Sequence, residues 1–134
     1  MNILVSACLL GTPCRYDGTG KLEPALERLR AQGHTLVPVC PEVLGGLPTP
    51  RPPAERQPDG RVVTREGVDV TEEYRSGAEQ ALKIAQAHGC TLAVLKERSP
   101  SCGRGSIYDG TFSRTLVPGS GVAAQLLEEQ GIAV

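Results

Sequence analysis

Tryptophan is absent from this 134-residue chain, and its only aromatic rings are those of Tyr16, Tyr74, Tyr108 and Phe112. A core must therefore be assembled from Leu, Val, Ile and Ala, and so few rings argue against a surface that stacks successive nucleotide bases. An excess of charge of one sign is missing too: 14 Lys and Arg face 15 Asp and Glu, a net charge of −1. That balance offers no global attraction for nucleic acid or anionic lipid, while leaving room for a local basic pocket. No apolar run approaches the roughly 18 residues of a membrane span. The opening Ile3-Leu4-Val5-Ser6-Ala7-Cys8 lacks the basic segment and full apolar stretch of a secretory signal, so a reducing cytoplasm is the expected compartment. The two histidines, His34 at the start of a strand and His88 at the end of a helix, are not placed for a catalytic triad. Gly103-Arg104-Gly105-Ser106 is too short and misplaced to cradle a nucleotide triphosphate.

What the chain has is loop and thiol. Its 16 glycines and 11 prolines make up about a fifth of the residues, well above average usage. Its length fits one domain, 1–134, in which roughly 70% of the unfolded surface can be buried without disulfide or metal staples. Asn2 to Ser6 and Thr35 to Val39 are short, β-branched apolar runs that suit buried parallel strands. Between them, Leu22, Ala25, Leu26 and Leu29 recur at helical spacing and Gly33 stops the helix. Pro41 to Val70 loses periodicity apart from at most a short strand at Arg61 to Thr64, and a loop of that length is usually functional. Gly45-Gly46-Leu47 and Val68-Asp69-Val70 supply apolar anchors for it. Thr71 caps a helix that runs to His88-Gly89, with Tyr74, Ala78, Ala81, Leu82 and Ala85 on one face. Thr91 to Leu95 is a strand, Lys96 to Pro118 a loop, Gly121 to Glu129 a helix and Ile132 to Val134 a short last strand. The order predicts a single three-layer α/β/α Rossmann-like domain with a short, mostly parallel sheet, whose ligands bind beyond the carboxyl ends of the strands.

Three of the five cysteines leave the sheet at that edge. Cys8 follows the first strand, Cys40 ends the second, and Cys102 lies in the loop after the third. Cys90 precedes the third strand at the opposite edge and reads as a small core residue. Cys14, in the first loop, is open to three readings: a fourth ligand, a reactive thiol or a bystander. Tetrahedral sulfur sites select zinc or an iron–sulfur cluster. The close Cys-x2-Cys knuckles of structural zinc are missing, whereas three separated thiolates suit three irons of a four-iron cluster whose fourth iron stays open. Three unrelated thiols remain the alternative. Beside them, Glu42 suits a general acid or base, or a solvated surface carboxylate. Ser99 and Ser101 suit substrate orientation or simply a turn. Arg15, Arg51 and Arg104 suit anion binding or surface charge.

Several spaced segments together resemble one family. Ser6-Ala7-Cys8-Leu9-Leu10-Gly11 with Arg15-Tyr16-Asp17-Gly18, Cys40-Pro41-Glu42 with Gly45-Gly46-Leu47 and Pro50-Arg51, Gly67-Val68-Asp69-Val70-Thr71, Ser99-Pro100-Ser101-Cys102-Gly103 and Ile107-Tyr108-Asp109-Gly110-Thr111-Phe112 are similar to the thiouracil desulfidase (TudS) family, in order along essentially the whole chain. The resemblance implies a [4Fe-4S] cluster held by Cys8, Cys40 and Cys102, with one open iron that takes the thiocarbonyl sulfur of a thiolated pyrimidine such as thiouracil or a 4-thiouridine derivative. It implies hydrolytic, non-redox removal of that sulfur as sulfide, with Glu42 activating water, Ser99 and Ser101 holding the ring, and Cys14 outside the ligand set. Larger relatives carry an added domain and act on transfer RNA, so the expected partner here is a small thiolated base or nucleotide, with no membrane and no nucleic acid. The competing function is a zinc- or thiol-based protein that binds sulfur or senses redox state without turnover.

Overall fold

A computed structural model describes residues 1–134. Its centre is a parallel sheet of β1 (Asn2–Ser6), β2 (Thr35–Val39) and β5 (Leu92–Val94) in the order β2-β1-β5. Leu4 on β1 stands opposite Val37 on one side and Ala93 on the other. Side chains alternate across a strand, and β1 shows it. Leu4 enters a cluster with Ala81, Ala85 and Leu127, which come from α3 (Thr71–Ala87) and α4 (Val122–Glu129). Ile3 and Val5 enter a second cluster with Cys8, Leu9 and Leu26, the last from α1 (Ala25–Ala31). Helices on both faces make the three layers that the strand and helix order predicts. Leu4 and Val5 are fully buried, each worth about 1.5–3 kcal/mol of burial. Cys90 is buried in the Leu4 cluster, as expected of a core thiol. No helix is long and apolar enough to cross a membrane.

The long loops are more structured than their lack of periodicity implies. Directly after β1 comes a 3-10 turn over Ala7–Leu10, closed by Gly11 at φ 89°, and after β2 comes the one-turn helix α2 (Pro41–Leu44). The expected strand at Arg61 to Thr64 is β4 (Val62–Thr64), but it pairs antiparallel with β3 (Ala54–Arg56). Three residues behind Pro52-Pro53 carry too short a pattern to announce a strand. The loop after β5 likewise holds a hairpin, β6 (Ser106–Tyr108) with β7 (Leu116–Pro118).

Four expectations need correction. Leu22 lies outside α1 and is 59% exposed, because Pro24 sets the helix start behind it. Thr71 does not cap α3 with its side chain; its hydroxyl accepts the Val62 N–H and so ties the hairpin to the helix. Val68 is exposed rather than an anchor, while Val70 and Leu47 do pack with Val62 and Tyr74. Ile132 to Val134 is not a full strand: it contributes one parallel bridge, Ala133 to Leu92, with Ile132 buried beneath.

Candidate active site at the carboxyl edge of the sheet

The first loop, α2 and the Cys102 loop meet beyond the carboxyl ends of the strands, around a cavity of about 390 Å3. Local structure fixes each cysteine. The Cys8 carbonyl accepts the Gly11 and Lys21 N–H groups at 3.2 and 2.7 Å, folding the first loop back onto the Cys8 backbone. Cys40 is the extended residue at the N-terminus of α2, with Pro41 at the first helical position. Cys102 is held by Ser99, whose Oγ accepts the N–H of Ser101 at 3.0 Å and of Cys102 at 2.7 Å. That turn is docked in turn on α4, since the Pro100 and Ser101 carbonyls accept the first N–H groups of the helix. Gly121 permits the approach: a Cβ there would meet the Ser101 carbonyl.

Cys8, Cys14, Cys40 and Cys102 all border the cavity, and Cys90 does not. Burial, then the neighbouring Cys40, push the Cys8 thiol up. The same two causes push Cys14 up to about 12. Burial pushes Cys102 up to about 12 against the pull of the Ser6 and Ser101 hydroxyls beside its sulfur. Without a cation these thiols are neutral at pH 7; a bound metal inverts that balance and takes them as thiolates. No group of three His, Cys, Asp or Glu side chains is gathered tightly enough for a single metal ion. The Ser101 hydroxyl is fully buried with no hydrogen-bond partner of good geometry, a cost of about 1–3 kcal/mol that a Cys102 thiolate, beside it, would offset by accepting it. Ser99 borders the cavity, whereas Ser101 lies behind its wall.

Glu42 is held rather than solvated. Its Oε2 accepts Arg51 Nε at 2.9 Å and Arg51 Nη2, and the two side chains are only 15% and 5% exposed. Arg51 is thus neither surface charge nor free to bind an anion: it also donates to the Cys14 and Pro48 carbonyls and to Thr49 Oγ1. Both arginine contacts fall on Oε2, which leaves Oε1 without one. Tyr74 lies beside the same carboxylate, and burial followed by that negative charge pushes its phenol up. Arg104 pairs with Glu128 instead, away from the cavity, while Arg15 borders it.

Sequence reasoning missed three features. Besides Arg15, already a candidate, Lys21, Arg65, Lys96, Arg98 and Arg114 line the cavity, against Glu55 and Glu97. Every aromatic residue of the chain borders this one cavity. The three non-glycine residues with positive φ, Arg98, Phe112 and Arg114, border it as well. Such residues cost about 1–3 kcal/mol each and gather at functional sites. None of this has a local signature, because segments far apart in sequence supply it.

Comparison with known proteins gives the chain's relatives. The family model described as 2-thiouracil desulfurase matches residues 3–134. The chain is 43% identical, over an alignment of 141 positions, to the "Uncharacterized protein YbbK" of Bacillus subtilis (strain 168), covering 98% of this chain and 93% of that one. It is 52% identical to a solved structure described as "[4Fe-4S]-dependent thiouracil desulfidase TudS (DUF523Vcz)", with a TM-score of 0.92 over 99% of this chain and 88% of the other.

Proposed function

Because the chain belongs to the 2-thiouracil desulfurase family, we propose that it is a [4Fe-4S]-dependent thiouracil desulfidase, hydrolytic and without net electron transfer. One observation carries the reading furthest: Cys8, Cys40 and Cys102, with Glu42 and every ring of the chain, converge on one cavity. In the reaction, water oxygen replaces sulfur on the ring carbon and sulfur leaves as hydrogen sulfide. Sulfur enters and leaves in the same oxidation state, so no oxidant or reductant is consumed.

Cys8, Cys40 and Cys102 would hold the cluster, which would supply a Lewis-acidic iron for the thiocarbonyl sulfur. Cys14 stays outside the ligand set, and Ser101, behind the wall, donates to the sulfur of Cys102. Glu42 takes a proton from the attacking water on Oε1 and returns it to the leaving sulfur, and the second water proton follows the same route as the carbonyl forms, so that both end on hydrogen sulfide; such a role is worth about 10²–10⁴ in rate. Arg51 fixes Oε2 and keeps Oε1 aimed. Ser99 spends both acceptor positions of its hydroxyl on the Cys102 turn, so its remaining proton is free to donate to a ring oxygen. The cations that line the cavity favour a substrate that carries phosphate, such as a thiouridine monophosphate, over the bare base.

The test is anaerobic reconstitution with iron and sulfide quantification, followed by sulfide release from 4-thiouracil and from 4-thiouridine monophosphate. The expected protein is brown and converts both, the phosphate more efficiently and with a rate advantage that shrinks as salt rises. Colourless protein, or one zinc per chain with no sulfide released, overturns the reading in favour of a sulfur-binding protein without turnover.

A further inference from the structure

Phe112 is the only phenylalanine of the chain, and its placement lacks a packing explanation. It belongs to none of the three buried apolar clusters; it stands half-buried on the cavity wall with φ at 58°. The backbone is locked there. Glu55, itself buried, accepts the N–H groups of Gly110 and Phe112 on Oε1 at 2.9 and 3.2 Å. Gln57 Nε2 donates to the Gly110 carbonyl at 3.2 Å. The Arg65 guanidinium lies over the ring, 5.5 Å from its centroid. A buried carboxylate, a strained backbone and a cation thus converge to hold one apolar ring at the edge of the site, where water would otherwise meet it.

We infer that Phe112 is the stacking wall of the site: its free face takes the flat pyrimidine, Arg65 backs the other face, and the pair selects planar aromatic thiocarbonyls over thiocarbonyls without a ring. The inference rests on the desulfidase reading and adds to it a specificity-determining residue. Tyr74 is nearly fully buried beside Glu42 and is committed there, Tyr16 is 44% exposed, and Tyr108 stands in the regular strand β6 with no cation over its ring, so none offers a face held in the same way. An aromatic wall contributes affinity to substrate and transition state alike, because the ring stays planar at its neighbouring atoms while one carbon reacts. Its removal should raise KM far more than it lowers kcat.

The experiment compares wild type, Phe112→Leu and Phe112→Tyr, each anaerobically reconstituted and matched for cluster absorption. Sulfide release from 4-thiouracil and from thiourea is measured, together with the affinity for uracil by calorimetry, which needs no turnover. Phe112→Leu should raise KM for 4-thiouracil about 10- to 100-fold, the range that base–aromatic stacking commands. It should move kcat less than about threefold, weaken uracil binding in parallel and lower the preference for 4-thiouracil over thiourea by a similar factor. Phe112→Tyr should restore all three. Unchanged KM and uracil affinity in Phe112→Leu, with the cluster intact, overturn the stacking wall and leave the desulfidase standing. A wild type that binds uracil through Phe112 but releases no sulfide overturns the desulfidase instead.

Discussion

The interior of the sheet and the cavity at its edge are neighbours along every strand, yet they divide the chemistry of the chain between them. On β1, Leu4 and Val5 face only aliphatic and small side chains, and two to four residues later Ser6 and Cys8 border the cavity. The two apolar clusters that cover the sheet contain no aromatic ring, and the second meets the cavity only through Cys8, Cys14 and Ala7 among its buried residues. The cavity takes all four rings, four of the five cysteines and half of the lysines and arginines. The frame asks for volume and pattern, which many aliphatic residues satisfy. The cavity asks for particular atoms.

The largest expected effect follows from that division. Cys102→Ser, Cys8→Ser and Cys40→Ser should each lose the brown cluster and all sulfide release, whereas Cys14→Ser should keep both and Cys90→Ala, in the frame, should cost only stability. Iron content per chain in the five variants reads the result, and equal behaviour of Cys14→Ser and Cys102→Ser would break the ligand assignment. Next in size is Glu42→Gln, whose amide oxygen still accepts from Arg51. Absorption should survive while kcat falls about 10²- to 10⁴-fold. A Glu42→Gln enzyme with wild-type kcat would remove Glu42 from the chemistry.

A smaller effect tests where frame and cavity touch. Gly77 on α3 faces the Pro41 carbonyl on α2, and a Cβ would overlap it. Gly77→Ala therefore has to push α2 outward and carry Cys40 and Glu42 with it. Overpacking of this kind costs about 1–3 kcal/mol, seen as a lower melting temperature, with kcat falling alongside. A variant that melts lower at full activity would show that the frame tolerates strain without passing it to the site.

The frame was legible in the sequence because its signals are local. Runs of β-branched residues mark β1 and β2, and apolar spacing marks α3. Cys8, Cys40 and Cys102 were also legible, since a parallel sheet sends the end of every strand to one edge. The pairing of Arg51 with Glu42, the seat that Glu55 makes for Phe112 and the gathering of the rings were not. Each joins residues on separate loops, and a prolyl-rich segment such as Pro50-Arg51-Pro52-Pro53 states that the chain turns without stating what it meets. Scarcity of aromatics, which argues against base stacking along a nucleic acid, became informative only when all of them proved to share one wall.

The smallest expected effect concerns the turns that shape those loops. Asp17 Oδ1 accepts the Thr19 N–H and hydroxyl at 3.1 and 2.6 Å, and Asp109 Oδ1 accepts the same pair from Thr111 at 2.9 and 2.6 Å. The threonine hydroxyl, then its N–H, hold each carboxyl below its usual range. A carboxylate depressed in the folded state stabilises fully above its unfolded pKa of about 4. Below that value the unfolded chain binds the extra proton first, so stability falls with pH until the folded carboxyl is protonated too. Asp17 is exposed and Asp109 half-buried with its carboxyl still in solvent, so the loss is small, and it falls on the loops while the sheet has no titrating group to lose. Asp109→Asn keeps an oxygen for the Thr111 N–H and removes the proton uptake. Melting temperature followed from pH 6 to about pH 3 should fall less steeply in Asp109→Asn than in wild type. Parallel curves would mean that Glu55 and Gln57 hold the turn beneath Phe112 without help from Asp109.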